Sequence, residues 1–116
     1  MTSSAAAPGR IATSQVASLA RFFNDAAPVR IPVEVWRADK PKLGSAERTV
    51  IEFGTPREVL FACSEPLEFA DVVHLRNADG SLDTEASVVA VQYHRGTTIV
   101  AARFRQDIPN WIIKPL

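Results

Sequence analysis

Along most of the chain, apolar and polar residues alternate with the two-residue period of a half-buried strand. The first such run is 30–36 (RIPVEVW), with Ile31, Val33 and Val35 on one side and Arg30, Pro32, Glu34 and Trp36 on the other. Pro32 has no N–H to give to a ladder, so its position is expected to face away from a partner strand or to sit at an edge. A polar loop over 38–46 follows, then a second strand over 48–53 (RTVIEF), rich in β-branched residues. Gly54, Thr55 and Pro56 read as a turn. The third strand is 57–63 (REVLFAC), with Val59, Phe61 and Cys63 alternating against Glu58, Leu60 and Ala62. After a loop over 64–70, a fourth strand over 71–76 (DVVHLR) ends at the turn Asn77-Ala78-Asp79-Gly80. Residues 85–94 (EASVVAVQYH) and 97–105 (TTIVAARFR) read as a hairpin of two further strands turning at Gly96. Asp107 is placed to cap a final turn over 108–111, where Pro109 is tolerated early.

Upstream of the strands the pattern changes. Residues 1–13 are rich in Ser, Ala, Pro and Gly and are expected to be disordered. Over 14–24 (SQVASLARFFN), Ser14 is placed to cap a short helix whose Val16, Leu19, Phe22 and Phe23 share one side. Ala26-Ala27-Pro28 interrupts it. Six short strands with regular turns and no helical stretch between them predict an all-β domain, a small barrel or sandwich, and argue against a parallel α/β sheet. The chain divides into an N-terminal segment, 1–20, disordered or partly helical, and a β domain over 21–116.

Composition narrows the function classes. A chain of 116 residues, 47% apolar, builds one core and excludes a large two-lobed enzyme. Thirteen basic residues balance thirteen acidic ones, so nothing drives non-specific binding to DNA or RNA. Arginine outnumbers lysine ten to three, a bias toward forked contacts with carboxylates and phosphates. The single cysteine, Cys63, permits no internal disulfide and reads as a small apolar core residue. The opening MTSSAAAPGR has no apolar core of a secretory signal, and no run has the roughly 18 apolar residues of a membrane span. A cytoplasmic protein with no membrane insertion is expected. His74 and His94 stand 20 residues apart on different strands, without metal-ligand spacing. Asp71 and His74 are three apart on a strand and so point to opposite faces. No activated nucleophile is visible, so no enzyme is expected. Trp111, Ile112 and Ile113 at one end, and Phe22 and Phe23 at the other, either cover the barrel or meet a partner.

In the order of its elements the chain resembles the PilZ family over 28–105. The segment 65–76 (EPLEFADVVHLR) resembles the family's "PL", turn and apolar strand. VVAVQY at 88–93 with GTTIVAARF at 96–104 resembles its closing hairpin. The resemblance implies a six-stranded antiparallel β-barrel with short terminal helical segments. It also implies a cyclic di-GMP receptor or adaptor in bacterial signalling, with no cofactor besides that ligand. The family grips the ligand through R-x-x-x-R, entering the first strand, and D/N-x-S-x-x-G, after the second. Arginine suits a phosphate or guanine edge because its planar fork donates in pairs and stacks on bases. Arg30 fits the second arginine, but Ala26 stands four residues earlier and the nearest upstream arginine is Arg21, nine back. The second motif would fall within 53–59 (FGTPREV): one register sets Phe53, Thr55 and Glu58 at the Asp, Ser and Gly positions, the other Gly54, Pro56 and Val59. The resemblance thus implies a ligand held by Arg30 and Arg21, with Thr55 and Arg57 in the facing turn. Its alternative implication is a degenerate module that binds no nucleotide and works through a protein partner. The same residues also have plain readings: Arg21, Arg30 and Arg57 as solvated charges, and Thr55 as a turn-former.

Overall fold

The computed structural model describes residues 14–40, 46–109 and 111. One helix, α1 (Gln15–Ala20), precedes six strands: β1 (Ala27–Arg37), β2 (Glu47–Gly54), β3 (Glu58–Cys63), β4 (Val72–Asn77), β5 (Asp83–His94) and β6 (Thr97–Phe104). They close into an antiparallel barrel in the order β1-β2-β3-β6-β5-β4. This is the six-stranded antiparallel all-β barrel that the resemblance implies, and it settles barrel against sandwich. Four junctions are local hairpin pairings; the β3–β6 and β1–β4 seams join strands distant in sequence.

The alternation read from the sequence fills the barrel. Val33 and Val35, Ile51, Val59 and Phe61, Val73 and Leu75, Ala86 and Val88, Val100 and Ala102 all point inward and are buried. Leu67 from the loop after β3 and Leu82 from the turn after β4 join this core, with Ile108 and Trp111 packed against it. Trp111 therefore helps cover the barrel; Ile112 and Ile113 lie outside the described residues.

A second apolar cluster lies on the outer wall. Val16, Leu19 and Ala20 of α1 pack on Leu60, Ile99 and Ala101, flanked by Phe23, Phe53 and Ala90. This explains why β3 and β6 are buried on both faces, where sequence alternation alone predicts one. A helix of six residues is too short to hold itself together in water, so docking is what stabilises it. Each fully buried Leu or Val contributes roughly 1.5–3 kcal/mol of transfer free energy. The Ser14 hydroxyl accepts from Ala17 N at 3.0 Å, the expected cap, and donates to Glu52 Oε1 at 3.1 Å, tying the helix to β2. The helix ends sooner than the 14–24 pattern predicts. Phe22 N and Phe23 N bond back three residues, to Leu19 and Ala20, and that tight turn swings Phe22 outward to 76% exposure while Phe23 packs. Residues 1–13 lie outside the described residues. Of the two terminal helical segments expected, α1 is the one found among the described residues. No described helix is long and apolar enough to cross a membrane.

Candidate functional site

The turn that follows β2 is the place to test the ligand reading, because it carries Thr55 and Arg57. Thr55 is only 4% exposed. Its N–H donates to Glu58 O at 2.9 Å, and its hydroxyl accepts from Arg57 N at 3.0 Å and Glu58 N at 2.8 Å. The same hydroxyl donates to the Glu58 carboxylate. A threonine hydroxyl has one donor and two acceptor positions, and all three are taken inside the turn. Across the β3–β6 seam, Arg103 gives Nε and Nη2 to Glu58 Oε2 at 2.9 and 2.7 Å. Trp111 Nε1 donates to Thr55 O at 2.9 Å, and its ring meets Phe104 edge-on at 5.3 Å. The turn at Thr55 is thus a structural knot that fastens the chain after β6 to one end of the barrel.

The other predicted residues are placed as follows. Arg57 is exposed and borders a cleft of about 200 Å³ with Pro56, Arg103 and Asp107. Arg30 is exposed on β1, where the pairing with β2 shifts register between Pro28 and Ile31. Glu52, on the neighbouring strand, is engaged with Ser14, and Arg30 makes no ion pair among the described residues. Arg21 is the exposed C-cap of α1, likewise without a described ion pair. The fold brings Thr55 and Arg57 into one turn. Gly54 pairs with Ala27, which sets Arg30 three residues further along β1, outside the Arg57 cleft.

Two constellations were not visible in the sequence. Trp36 and His74 pair across the β1–β4 seam and stack at 4.5 Å, their ring planes nearly parallel at 14°. His74 also meets the Asp83 carboxylate, and an open cleft of about 510 Å³ runs from these two to Glu85 and Arg105, themselves paired at 3.4 Å. Trp36 sat on the polar side of its strand in the sequence; only the closure of the barrel makes it a neighbour of His74. Asp71 faces away from His74, accepting instead from Arg37 at 3.2 Å and from Glu68 N at 2.8 Å. The Asp39 hydrogen bond raises the Arg37 pKa, and the same bond lowers that of Asp39. Beside this, Ala70 adopts a left-handed φ of 73°, and Phe69 projects at 71% exposure. Cys63 is buried, and desolvation pushes its thiol up to about 12. No group of three or more His, Cys, Asp or Glu among the described residues is arranged to hold a metal.

No protein-family profile matches the sequence, and no curated protein matches it. Among solved structures, the Bacillus subtilis inhibitor of motility (MotI/DgrA) is similar in fold, with a TM-score of 0.52 at 10% identity over 73% of this chain. The matched part is 43% of that protein, so this chain spans less than half of its length. At such low identity the fold is what the two share, and the class it defines is a PilZ-like β-barrel domain.

Proposed function

We propose that this chain is a non-enzymatic PilZ-like module that acts through contacts with another protein and does not take up cyclic di-GMP by the family's usual grip. The observation carrying this reading is the Thr55 hydroxyl, whose donor and both acceptor positions are engaged by Glu58 and Arg57 within the turn. The hydroxyl that would stand in for the motif's serine has nothing left for a ligand. Missing motif residues, Ala26 in place of the first arginine and no acid or glycine in the register that keeps Thr55, point the same way. Phe22 and Phe69, 76% and 71% exposed, are the large apolar groups a partner would cover.

The runner-up is a cyclic di-GMP receptor. Arg30 favours it, being exposed and without an ion pair among the described residues. Calorimetric titration with cyclic di-GMP separates the two. The module reading expects no saturable heat up to roughly millimolar ligand, about −4 kcal/mol. Micromolar binding, about −8 kcal/mol, that disappears in Arg30→Ala would overturn it and establish the receptor.

A further inference from the structure

The β1–β4 seam does not run the full length of the barrel. β4 ends at Asn77, opposite Val33, so β1 from Ala27 to Pro32 has β2 as its one strand neighbour among the described residues. Where the seam opens, a cleft of about 520 Å³ forms on the outer wall, bordered by Pro32, Glu34, Arg48, Thr49, Arg76 and Asn77. That volume lies within the range of about 300–1,000 Å³ typical of small-molecule sites.

The register decides what this cleft presents. Glu34 pairs with Arg48 on β2 and with Arg76 on β4, so the three form one transverse row, Arg48–Glu34–Arg76. Neighbouring strands lie about 4.8 Å apart, which sets the two arginine backbones about 10 Å from each other. Both arginines are exposed, and neither makes an ion pair with a described residue. Arg76 has a second acidic neighbour across the ladder, Asp83, whose carboxylate is turned to His74. Among the described residues, the cleft therefore carries two positive charges against one negative.

Its neutral polar groups are already engaged. Thr49 Oγ1 donates to Ala62 O, Asn77 Oδ1 accepts from Leu82 N at 3.0 Å, and Asn77 Nδ2 donates to Ser81 Oγ at 2.9 Å. What is left to meet a ligand is a pair of guanidinium forks on stems longer than that of Glu34. Two forks borne on strands either side of Glu34 and bordering one cleft suit an oxyanion offering several acceptor oxygens, and a phosphate supplies them in the required number.

We propose that the Arg48–Arg76 cleft is an anion site that takes the phosphate group of a small ligand, held jointly by the two guanidinium forks. This site is separate from the turn at Thr55 and from Arg30, and it stands whether or not the interaction-module reading holds.

The test is a titration of the isotope-labelled full chain by nuclear magnetic resonance, at fixed pH and ionic strength, with inorganic phosphate and with adenosine 5′-phosphate. The Arg48 and Arg76 Nε–H signals and the amides of residues 33–34, 48–49 and 76–78 are expected to shift saturably. Arg48→Gln and Arg76→Gln should each weaken binding at least fivefold, and Glu34→Gln should strengthen it. Tighter binding of the nucleotide than of phosphate identifies a nucleotide as the source; equal binding identifies the bare phosphate group. Either result supports the site. Absence of saturable shifts up to about 20 mM phosphate in the wild type, equivalent to roughly −2 kcal/mol, overturns it. So do shifts that persist in the double Gln variant, or weaker binding by Glu34→Gln. Cyclic di-GMP binding abolished by Arg30→Ala but untouched by these Gln substitutions would sink the module reading and leave this one standing.

Discussion

Glu58 and Arg103 face each other across the β3–β6 seam, joined by two hydrogen bonds to a single carboxylate oxygen at 2.9 and 2.7 Å. Glu58 is 8% exposed, so its charge needs the partner; Arg103 is half in solvent. Arg103→Ala leaves a buried acceptor unsatisfied and is expected to cost roughly 1–3 kcal/mol. Glu58→Gln keeps the shape and the Thr55 contact and should cost less. Urea unfolding of both variants checks the order; a neutral Arg103→Ala would show that the pair does not hold the turn.

The apolar outer wall beneath α1 leads to a second expectation. A variant starting at residue 21 removes Val16, Leu19 and Ala20 from over Leu60, Ile99 and Ala101. It should bind a hydrophobic dye and self-associate where the full chain does not. Within the full chain, Leu19→Ala should lower stability by about 2–4 kcal/mol, limited by the undocking of the helix. A truncated barrel that stays monomeric and loses no stability would contradict the packing described.

Cys63 supplies a pH dependence. Its folded-state pKa is raised from 9.0 to about 12, chiefly by burial. A raised pKa stabilises the fold fully below the unfolded value and loses that contribution as pH climbs through the folded one. The free-energy gap between wild type and Cys63→Ala should be constant near neutrality. It should then narrow above about pH 9, with a slope of at most about 1.4 kcal/mol per pH unit. A gap unchanged up to about pH 11 would mean the thiol is not desolvated. For the same reason a thiol reagent at pH 8 should label Cys63 only as fast as the protein unfolds.

Ala70 carries the left-handed backbone of the loop before β4, held by its N–H to Val88 O at 2.9 Å. A side chain there is strained, and a β-branched one most of all. Ala70→Val is expected to destabilise by roughly 1–2 kcal/mol, whereas Ala70→Gly trades strain against chain entropy and should change stability by less than about 0.5 kcal/mol. Thermal melts of the pair decide it: equal effects would remove the strain argument.

How much of this was readable beforehand depends on the range of the contact. Each strand announced itself locally, because Ile31, Val33 and Val35, or Val59, Phe61 and Cys63, alternate within a single run. The prediction that Thr55 forms a turn was local as well. The Glu58–Arg103 pair spans 45 residues and the Trp36–His74 stack crosses the seam between the first and fourth strands, so neither has a sequence signature. The second apolar cluster did leave a trace: VLFAC and TIVAA are apolar on both alternating sets, which a wall with only one buried side does not require. Phe22 was assigned to the packed side of a longer helix because the 3.6-residue period runs on past the point where the backbone tightens after Ala20.

The strand order carries a consequence for how this chain finds its structure. β1-β2-β3 and β4-β5-β6 are two meanders, each assembled from neighbours in sequence, and they meet at the β3–β6 and β1–β4 seams. Local hairpins form in microseconds, whereas joining two preformed sheets waits on the loss of chain entropy over long separations. The zipping of one meander to the other is therefore the step expected to limit the rate. Side chains bridging the seams, Glu58 with Arg103 and Trp36 with His74, are placed to set how slowly the closed barrel reopens.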